Sequence, residues 1–402
     1  MLCSLTDITI VSEFYAPNLI GGAEVQAMRR VEGLTRMGLK VKVICFDSNN
    51  GTREETINGV KIVRYHLQTH KGKILSMLSP VTKALNKHEK ETEIYHLYNI
   101  FPLAGGGLYK LMAGRKPVVA NIDHFGGYCP ISMGTCDPCN LINRYYCLKN
   151  EVKNIAEKLA CLPYASIFPL LTSLSKQVDK HIAVSEFVKQ EYVKYGYDPD
   201  KLIVIPNSID IANWQSAIRK PHEGMNLIYV GRMTWEKCID VLIKAFQKVS
   251  NEYPNTKLIL IGDGPLLDMY RSLVKQLYPD IKKVIFTGYM RPDDIKYYYS
   301  IADLFVYPSI REAFGISLLE AMAYDIPAVV SDDAALKDVV RDAGITFRAG
   351  QVEDLARKIS LLIDDPDKLL ALRKRCKHVL SEYADDKVLR DLIKVYEDML
   401  CN

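Results

Sequence analysis

The 402-residue chain reads as an α/β protein of two doubly wound, Rossmann-like domains. Three observations predict this. Short β-rich apolar runs alternate with helical patterns through both halves. Within 304–332, LFVYPS and PAVVSD flank the helical stretch ISLLEAMAY, a strand–helix–strand unit whose two strands must run parallel. The length exceeds one ordinary core and fits two domains of about two hundred residues each.

The balance of residues narrows the class. With 48% hydrophobic and 25% charged residues the chain is an ordinary globular protein rather than a disordered one. Its net charge of +4 favours anionic ligands or an acidic membrane surface, and no nucleic-acid-reading motif is present. The opening MLCSLTDITIVSEF has no basic leader or cleavage site, so a cytoplasmic location is expected. The longest apolar candidate, CLPYASIFPLL from Cys161, holds two prolines and is too short to span a bilayer, which leaves peripheral membrane contact. Ten cysteines in such a chain argue against a disulfide framework.

In chain order, ITIVS, a loop ending Gly21-Gly22, a helix and KVKVICFD open the first domain. The Gly pair lets backbone approach an anion at a helix N-terminus, or forms a simple turn. A polar hairpin-like stretch follows Asp47. The basic amphipathic run 71–90 could rest on a membrane or be a helix with one solvated face. EIYHLYN and KPVVANID are two further strands, the second ending in Asp123-His124. A His at a strand's carboxyl end can touch a sugar hydroxyl or an acceptor proton; otherwise it is structural. Cys129, Cys136, Cys139 and Cys147 suit a four-thiolate structural zinc, an iron–sulfur cluster, or unligated thiols. Residues 151–180 are helical, and a strand–helix–strand course then leads to a hinge at Pro206. The expected domains are 1–206 and 207–383, with a terminal helix over 384–402.

The second half carries the chemistry. LIYVG leads into a turn holding Arg232 and Lys237, two cations that would repel unless an anion sat between them, which suits a diphosphate. KLILIGDGP places Gly262 and Gly264 close to any ligand, and VIFTGYM ends in Gly288-Tyr289. Glu312 lies in the loop after LFVYPS, where ligands bind in open α/β sheets. Backbone N–H groups of Phe314, Gly315 and Ile316 open the next helix and suit a phosphate or sugar oxygen. Glu320, one turn on among apolar neighbours, is either on a narrow wet stripe or buried with a partner. After Asp332 the pattern is helical to the end.

Glu312-x7-Glu320 with Phe314-Gly315 between and Ala-Met-Ala after, together with Gly231-Arg232-x4-Lys237, resembles the signature of retaining glycosyltransferases of the GT-B fold, family 4, also called glycosyl transferases group 1. The resemblance runs from Gly21 to the terminal helix. It implies two Rossmann-like domains with an interdomain cleft, the first on the acceptor side and the second holding a nucleotide diphosphate sugar. It implies that Glu312 faces the donor sugar, that Glu320 accepts hydrogen bonds from the ribose, and that Gly22, Arg232, Lys237, Gly264 and Tyr289 line the phosphates and base. His124 would be the second catalytic group, although counting back from Cys129-Pro130 puts Asp123 at the family's His position. A backbone bulge would restore His124 to the pocket. Cys238 stands where the family usually has Gly.

The function expected is retaining sugar transfer to a glycan, polysaccharide or lipid-linked acceptor in cell envelope glycan biosynthesis, without a cofactor, since no Asp-x-Asp stands in a metal-holding context. A GT-B epimerase or phosphorylase, or an inactive nucleotide-binding subunit, is the alternative. A dinucleotide dehydrogenase is disfavoured because no G-x-G-x-x-G follows the first strand.

Overall fold

The structure, a computed structural model, describes residues 7–17, 22–47, 51–67, 73–99, 101–112, 114–130, 140–151, 155–214, 220–278, 281–333 and 335–401. Gly21, Cys136, Cys139 and the start of the basic run at Lys71 lie outside them. The chain divides into two compact units, Met1–Asn207 with Asp386–Asn402, and Ser208–Asp385.

The first unit is an eight-stranded sheet ordered β3-β4-β2-β1-β5-β6-β7-β8. Its strands are β1 Asp7–Val11, β2 Lys40–Asp47, β3 Arg53–Ile57, β4 Val60–His66, β5 Ile94–Leu97, β6 Val118–Ile122, β7 Lys180–Ala183 and β8 Leu202–Val204. Every pairing is parallel except the β3–β4 hairpin, which is the polar stretch after Asp47. The helices are α1 Gly22–Arg36, α2 Lys73–His88, α3 Leu103–Leu111, α4 Leu141–Glu151, α5 Ile155–Ser175 and α6 Glu186–Lys194.

The second unit is a six-stranded parallel sheet ordered β11-β10-β9-β12-β13-β14. It contains β9 Met225–Val230, β10 Thr256–Ile261, β11 Val284–Gly288, β12 Leu304–Tyr307, β13 Ala328–Ser331 and β14 Gly344–Phe347. Its helices are α7 Ile211–Trp214, α8 Ile239–Glu252, α9 Leu267–Leu277, α10 Pro292–Ser300, α11 Ile316–Ala323, α12 Leu336–Val340, α13 Val352–Asp364 and α14 Pro366–Ser381. The final helix, α15 Asp385–Cys401, packs with the first unit. Edge strand β14 corrects the reading of 333–402 as continuously helical. GITF is too short to alternate, and it becomes a strand only because β13 offers it a parallel ladder.

Alternation along β1 and β2 assigns the two faces of the first sheet. Ile8, Ile10 and Val43 meet α1 through Val31 and Leu34, and α15 through Leu389 and Leu392. On that face the Tyr396 hydroxyl lies 2.6 Å from His96 Nδ1. Val11 and Ile44 point the other way, against Met77, Val81 and Leu85 of α2 and Leu103 of α3. The apolar side of the basic run is therefore core, so its reading as a helix with one solvated face holds over the membrane reading. Helix α5 packs Phe168, Leu171 and Leu174 onto α3. A Cβ at Gly107 of α3 would lie 1.8 Å from the Leu174 carbonyl oxygen, so only glycine permits this contact.

Candidate functional site

In the second unit, loops leaving the carboxyl ends of β9, β10, β11 and β12 are tied into one edge. Gly231 N–H donates to the Ile261 carbonyl, Gly262 N–H to Gly288, and Met233 N–H to Asp263, all within 2.9–3.0 Å. Gly262 adopts a φ of +133°, and a Cβ there would fall 1.9 Å from the Gly231 carbonyl oxygen. A Cβ at Gly264 would fall 2.7 Å from that of Met233. The glycines of the GDGP stretch are thus required by backbone packed on backbone, whatever ligand they also admit.

Lys237 ends a short 3₁₀ turn over Trp235–Lys237 and bonds directly to the Glu312 carboxylate. Both side chains are only 15% exposed. Tyr307, at the end of β12, donates its hydroxyl to the same Glu312 oxygen at 3.0 Å and lies with its ring 5.7 Å from the Lys237 ammonium. Burial would push the Glu312 carboxyl up, but Lys237, Tyr307 and the Phe314 N–H together hold it below the usual carboxylate range. Burial likewise opposes the Lys237 charge, and Glu312 more than offsets it. The pair is desolvated, and Glu312 accepts from Lys237, Tyr307 and the Phe314 N–H.

The expectation that Lys237 and Arg232 face each other across an anion is met differently here. Lys237 is balanced by a protein carboxylate, whereas Arg232 is exposed and, among the described residues, enters no ion pair. The loop is pinned from both sides, because Ile310 N–H donates to the Glu236 carbonyl at 2.9 Å and Ala335 N–H to the Glu312 carbonyl at 3.2 Å. Cys238 takes the left-handed conformation, φ 48° and ψ 41°, just before α8. That backbone explains physically why glycine is the usual residue at this position.

Helix α11 starts at Gly315, which has a φ of +86° and gives no side-chain cap. Its first N–H groups are left available to an acceptor. Phe314 is buried with its ring 5.7 Å from that of Tyr383, and Ile316 is partly buried. Glu320 is also partly buried and accepts from the Tyr299 hydroxyl at 3.0 Å, so it has a partner and is not on a wet stripe. Tyr289 is 75% exposed. The sequence reading missed Tyr307 and Tyr299; the signals available were an aromatic closing an apolar strand before Pro308, and the YYY run in α10.

In the first unit, β6 pairs in unbroken register up to Ile122, immediately before Asp123-His124. His124 Nδ1 accepts from Gly126 N–H at 3.3 Å, so Nε2 carries the proton and donates to Asn99 Oδ1 at 3.1 Å. Asp123 accepts from Asn121 Nδ2 at 2.7 Å through Oδ1, while its buried Oδ2 has no hydrogen-bond partner among the described residues. Beneath both lies Arg30, 1% exposed, donating to Asn121 Oδ1 at 2.8 Å, Tyr98 at 3.2 Å and the Pro206 carbonyl at 3.1 Å. This network was not anticipated, because Arg30 sits next to Arg29 in α1 and reads as a surface charge. Gly22 is exposed at the start of α1. Cys129 is buried and Cys147 partly exposed. Among the described residues no cluster of metal-ligating side chains occurs, with the central pair Cys136 and Cys139 outside them.

Burial sets a pH dependence. It holds His124 and His181 down to about 4, and His96 well below 6.5. Unfolded, each would titrate near 6.5, so the stability they confer is intact above that value. It is lost as pH falls toward 4, at about 1.4 kcal/mol per pH unit for each proton. Burial raises Asp123 to about 6, with Arg30 and Asn121 opposing, so its contribution is intact below 3.8 and lost as pH rises through 6. Three protons outweigh one, and the urea midpoint of the first unit should fall steadily from pH 6.5 to 4. A flat midpoint would mean the histidines are not held neutral.

Two doubly wound units, one carrying a Lys–Glu–Tyr cluster at the carboxyl edge of its parallel sheet, match the GT-B class of transferases, and the comparisons with known proteins bear this out. The family model Glycosyltransferase Family 4 matches residues 20–213, and Glycosyl transferases group 1 matches 210–379. An uncharacterized glycosyltransferase of Methanocaldococcus jannaschii is 25% identical over 97% of both chains. The α-monoglucosyldiacylglycerol synthase of Acholeplasma laidlawii is 24% identical over 98% of this chain and 97% of its own. The crystal structure of Anabaena HepE in complex with UDP shares the fold, with a TM-score of 0.71 at 17% identity over 98% of this chain and 100% of that one. The chain belongs to the group 1 glycosyltransferases and is a glycosyltransferase enzyme of the GT-B fold.

Proposed function

We propose that this protein is a retaining glycosyltransferase that moves a sugar from a nucleotide diphosphate sugar to a glycan, polysaccharide or lipid-linked acceptor. The reading places it in cell envelope glycan synthesis, in the cytoplasm at the inner face of the membrane. The observation that carries it is the buried Lys237–Glu312–Tyr307 cluster beside the uncapped start of α11. A departing nucleoside diphosphate needs positive charge at its phosphates. Arg232, Lys237 and the N–H groups of Gly315 and Ile316 supply it, with Gly264 leaving room. Glu312, held ionised, lies against the developing positive charge of the sugar ring, Glu320 receives the ribose, and Tyr289 covers the base. His124, kept neutral, orients an acceptor or sugar hydroxyl by turning its Nε2–H from Asn99 to that hydroxyl. The neighbour with UDP favours a uridine donor, and the diacylglycerol-synthase relative favours a lipid acceptor.

No metal is needed in this mechanism. Any zinc on Cys129, Cys136, Cys139 and Cys147 would be structural, and metal analysis of the purified protein tests that. Incubation with a panel of nucleotide sugars in EDTA should show turnover of one donor, with the anomeric configuration of the product retained by NMR. Inversion, or strict dependence on added magnesium or manganese, would overturn the mechanism.

A further inference from the structure

We infer that Tyr299 is a positioning residue for ribose recognition, its buried hydroxyl fixing the Glu320 carboxylate in the orientation that takes the two adjacent ribose hydroxyls. This rests on the proposal that Glu320 receives the donor ribose. Of the three consecutive tyrosines near the end of α10, Tyr297 is 51% exposed and Tyr299 is fully buried. Neighbours on a helix are turned about 100° apart, so one member of the run faces inward while the first stays in solvent. The Tyr299 hydroxyl lies 3.0 Å from Glu320 Oε2 and 3.3 Å from the Ser317 carbonyl oxygen. A carboxylate and a carbonyl only accept, so the phenol is the donor, and it binds across one turn of α11.

A glutamate side chain has several rotatable bonds, and ordering it on a ligand costs rotamer freedom. The bond from Tyr299 imposes that order before a ligand arrives. An ionised carboxylate has about four lone-pair sites, so accepting from one phenol still leaves room for the ribose hydroxyls. The phenol is held in turn by two buried rings. Trp214 of α7 meets it edge-on at 5.9 Å and 77°, and Tyr324 stacks on it at 5.6 Å and 25°. Burial and the neighbouring Glu320 charge raise the Tyr299 phenol well above its ordinary value, so its proton stays available to donate. Tyr324 supplies a control within the same layer. It packs on the same ring and feels the same Glu320 charge, yet its hydroxyl has no hydrogen-bond partner among the described residues.

The test is calorimetric binding of UDP, ADP and GDP to the full chain, the tightest of them then repeated as its 2′,3′-dideoxy form, with donor hydrolysis kinetics alongside. Tyr299→Phe should weaken the ribonucleotide about tenfold, the loss of one hydrogen bond to a charged group. The dideoxy form should bind the variant as it binds the wild type, because no ribose hydroxyl then calls on Glu320. In hydrolysis the donor KM should rise about tenfold with kcat within about twofold of wild type. Tyr324→Phe should change none of these. Wild-type binding by Tyr299→Phe would overturn the inference. So would an equal loss on both forms of the nucleotide or an equal loss in Tyr324→Phe, either of which makes Tyr299 a packing residue. Glu320→Ala separates the inference from the proposal beneath it. If that variant binds the ribonucleotide as the wild type does, or if none of the nucleotides binds, Glu320 does not receive the ribose and both fall. Weakened binding by Glu320→Ala with wild-type binding by Tyr299→Phe overturns the inference alone.

Discussion

Substituting Lys237 with Met is expected to remove transfer activity and destabilise the second unit together. The ammonium is the counter-charge of Glu312 in a desolvated setting, and removing one partner of a buried pair typically costs about 3–5 kcal/mol. If Lys237 also steadies the donor diphosphate, kcat should fall about a hundred- to thousandfold. Stability and catalysis separate in the double variant Lys237→Met, Glu312→Gln. It leaves no unpaired charge and retains Tyr307 as a donor to the new amide, so the urea midpoint should return most of the way while turnover stays lost. Near wild-type turnover in the single variant would remove Lys237 from the active site.

Arg30→Met should have an effect of similar size in the first unit, for a different reason. The guanidinium serves three acceptors at once, the Asn121 side chain, Tyr98 and the Pro206 carbonyl, and it limits how far burial raises Asp123. Methionine fills the volume but satisfies none of them, and a loss of about 3–5 kcal/mol follows. Adding Asp123→Asn removes the uncompensated carboxylate and should restore part of the loss at neutral pH, measured by urea unfolding. Equal stability of the single variant and the wild type would mean that Arg30 is solvated in solution.

The fold class was legible because both parallel sheets are covered on two faces, so their strands read as apolar runs separated by helical periods. The carboxyl-edge residues were legible for a related reason. Glu312, Lys237 and the GDGP glycines follow such runs directly, and in open α/β sheets that position is where ligands are met. The polar clusters were harder to see. Tyr307 and Tyr299 pass for core aromatics until their hydroxyls are found on Glu312 and Glu320. Arg30 passes for surface until it is found beneath β5 and β6.

By itself, then, the chain's pattern of apolar periods and breaks determined two α/β domains and where along each strand chemistry could sit, because local hydrophobic period is set by backbone geometry. Partner choice was decided only by tertiary structure. That Lys237 neutralises Glu312, that both nitrogens of His124 are occupied while an oxygen of Asp123 has no hydrogen-bond partner among the described residues, and that Leu159, Leu162 and Leu170 of α5 face outward depend on groups far apart in sequence being brought into one dielectric environment.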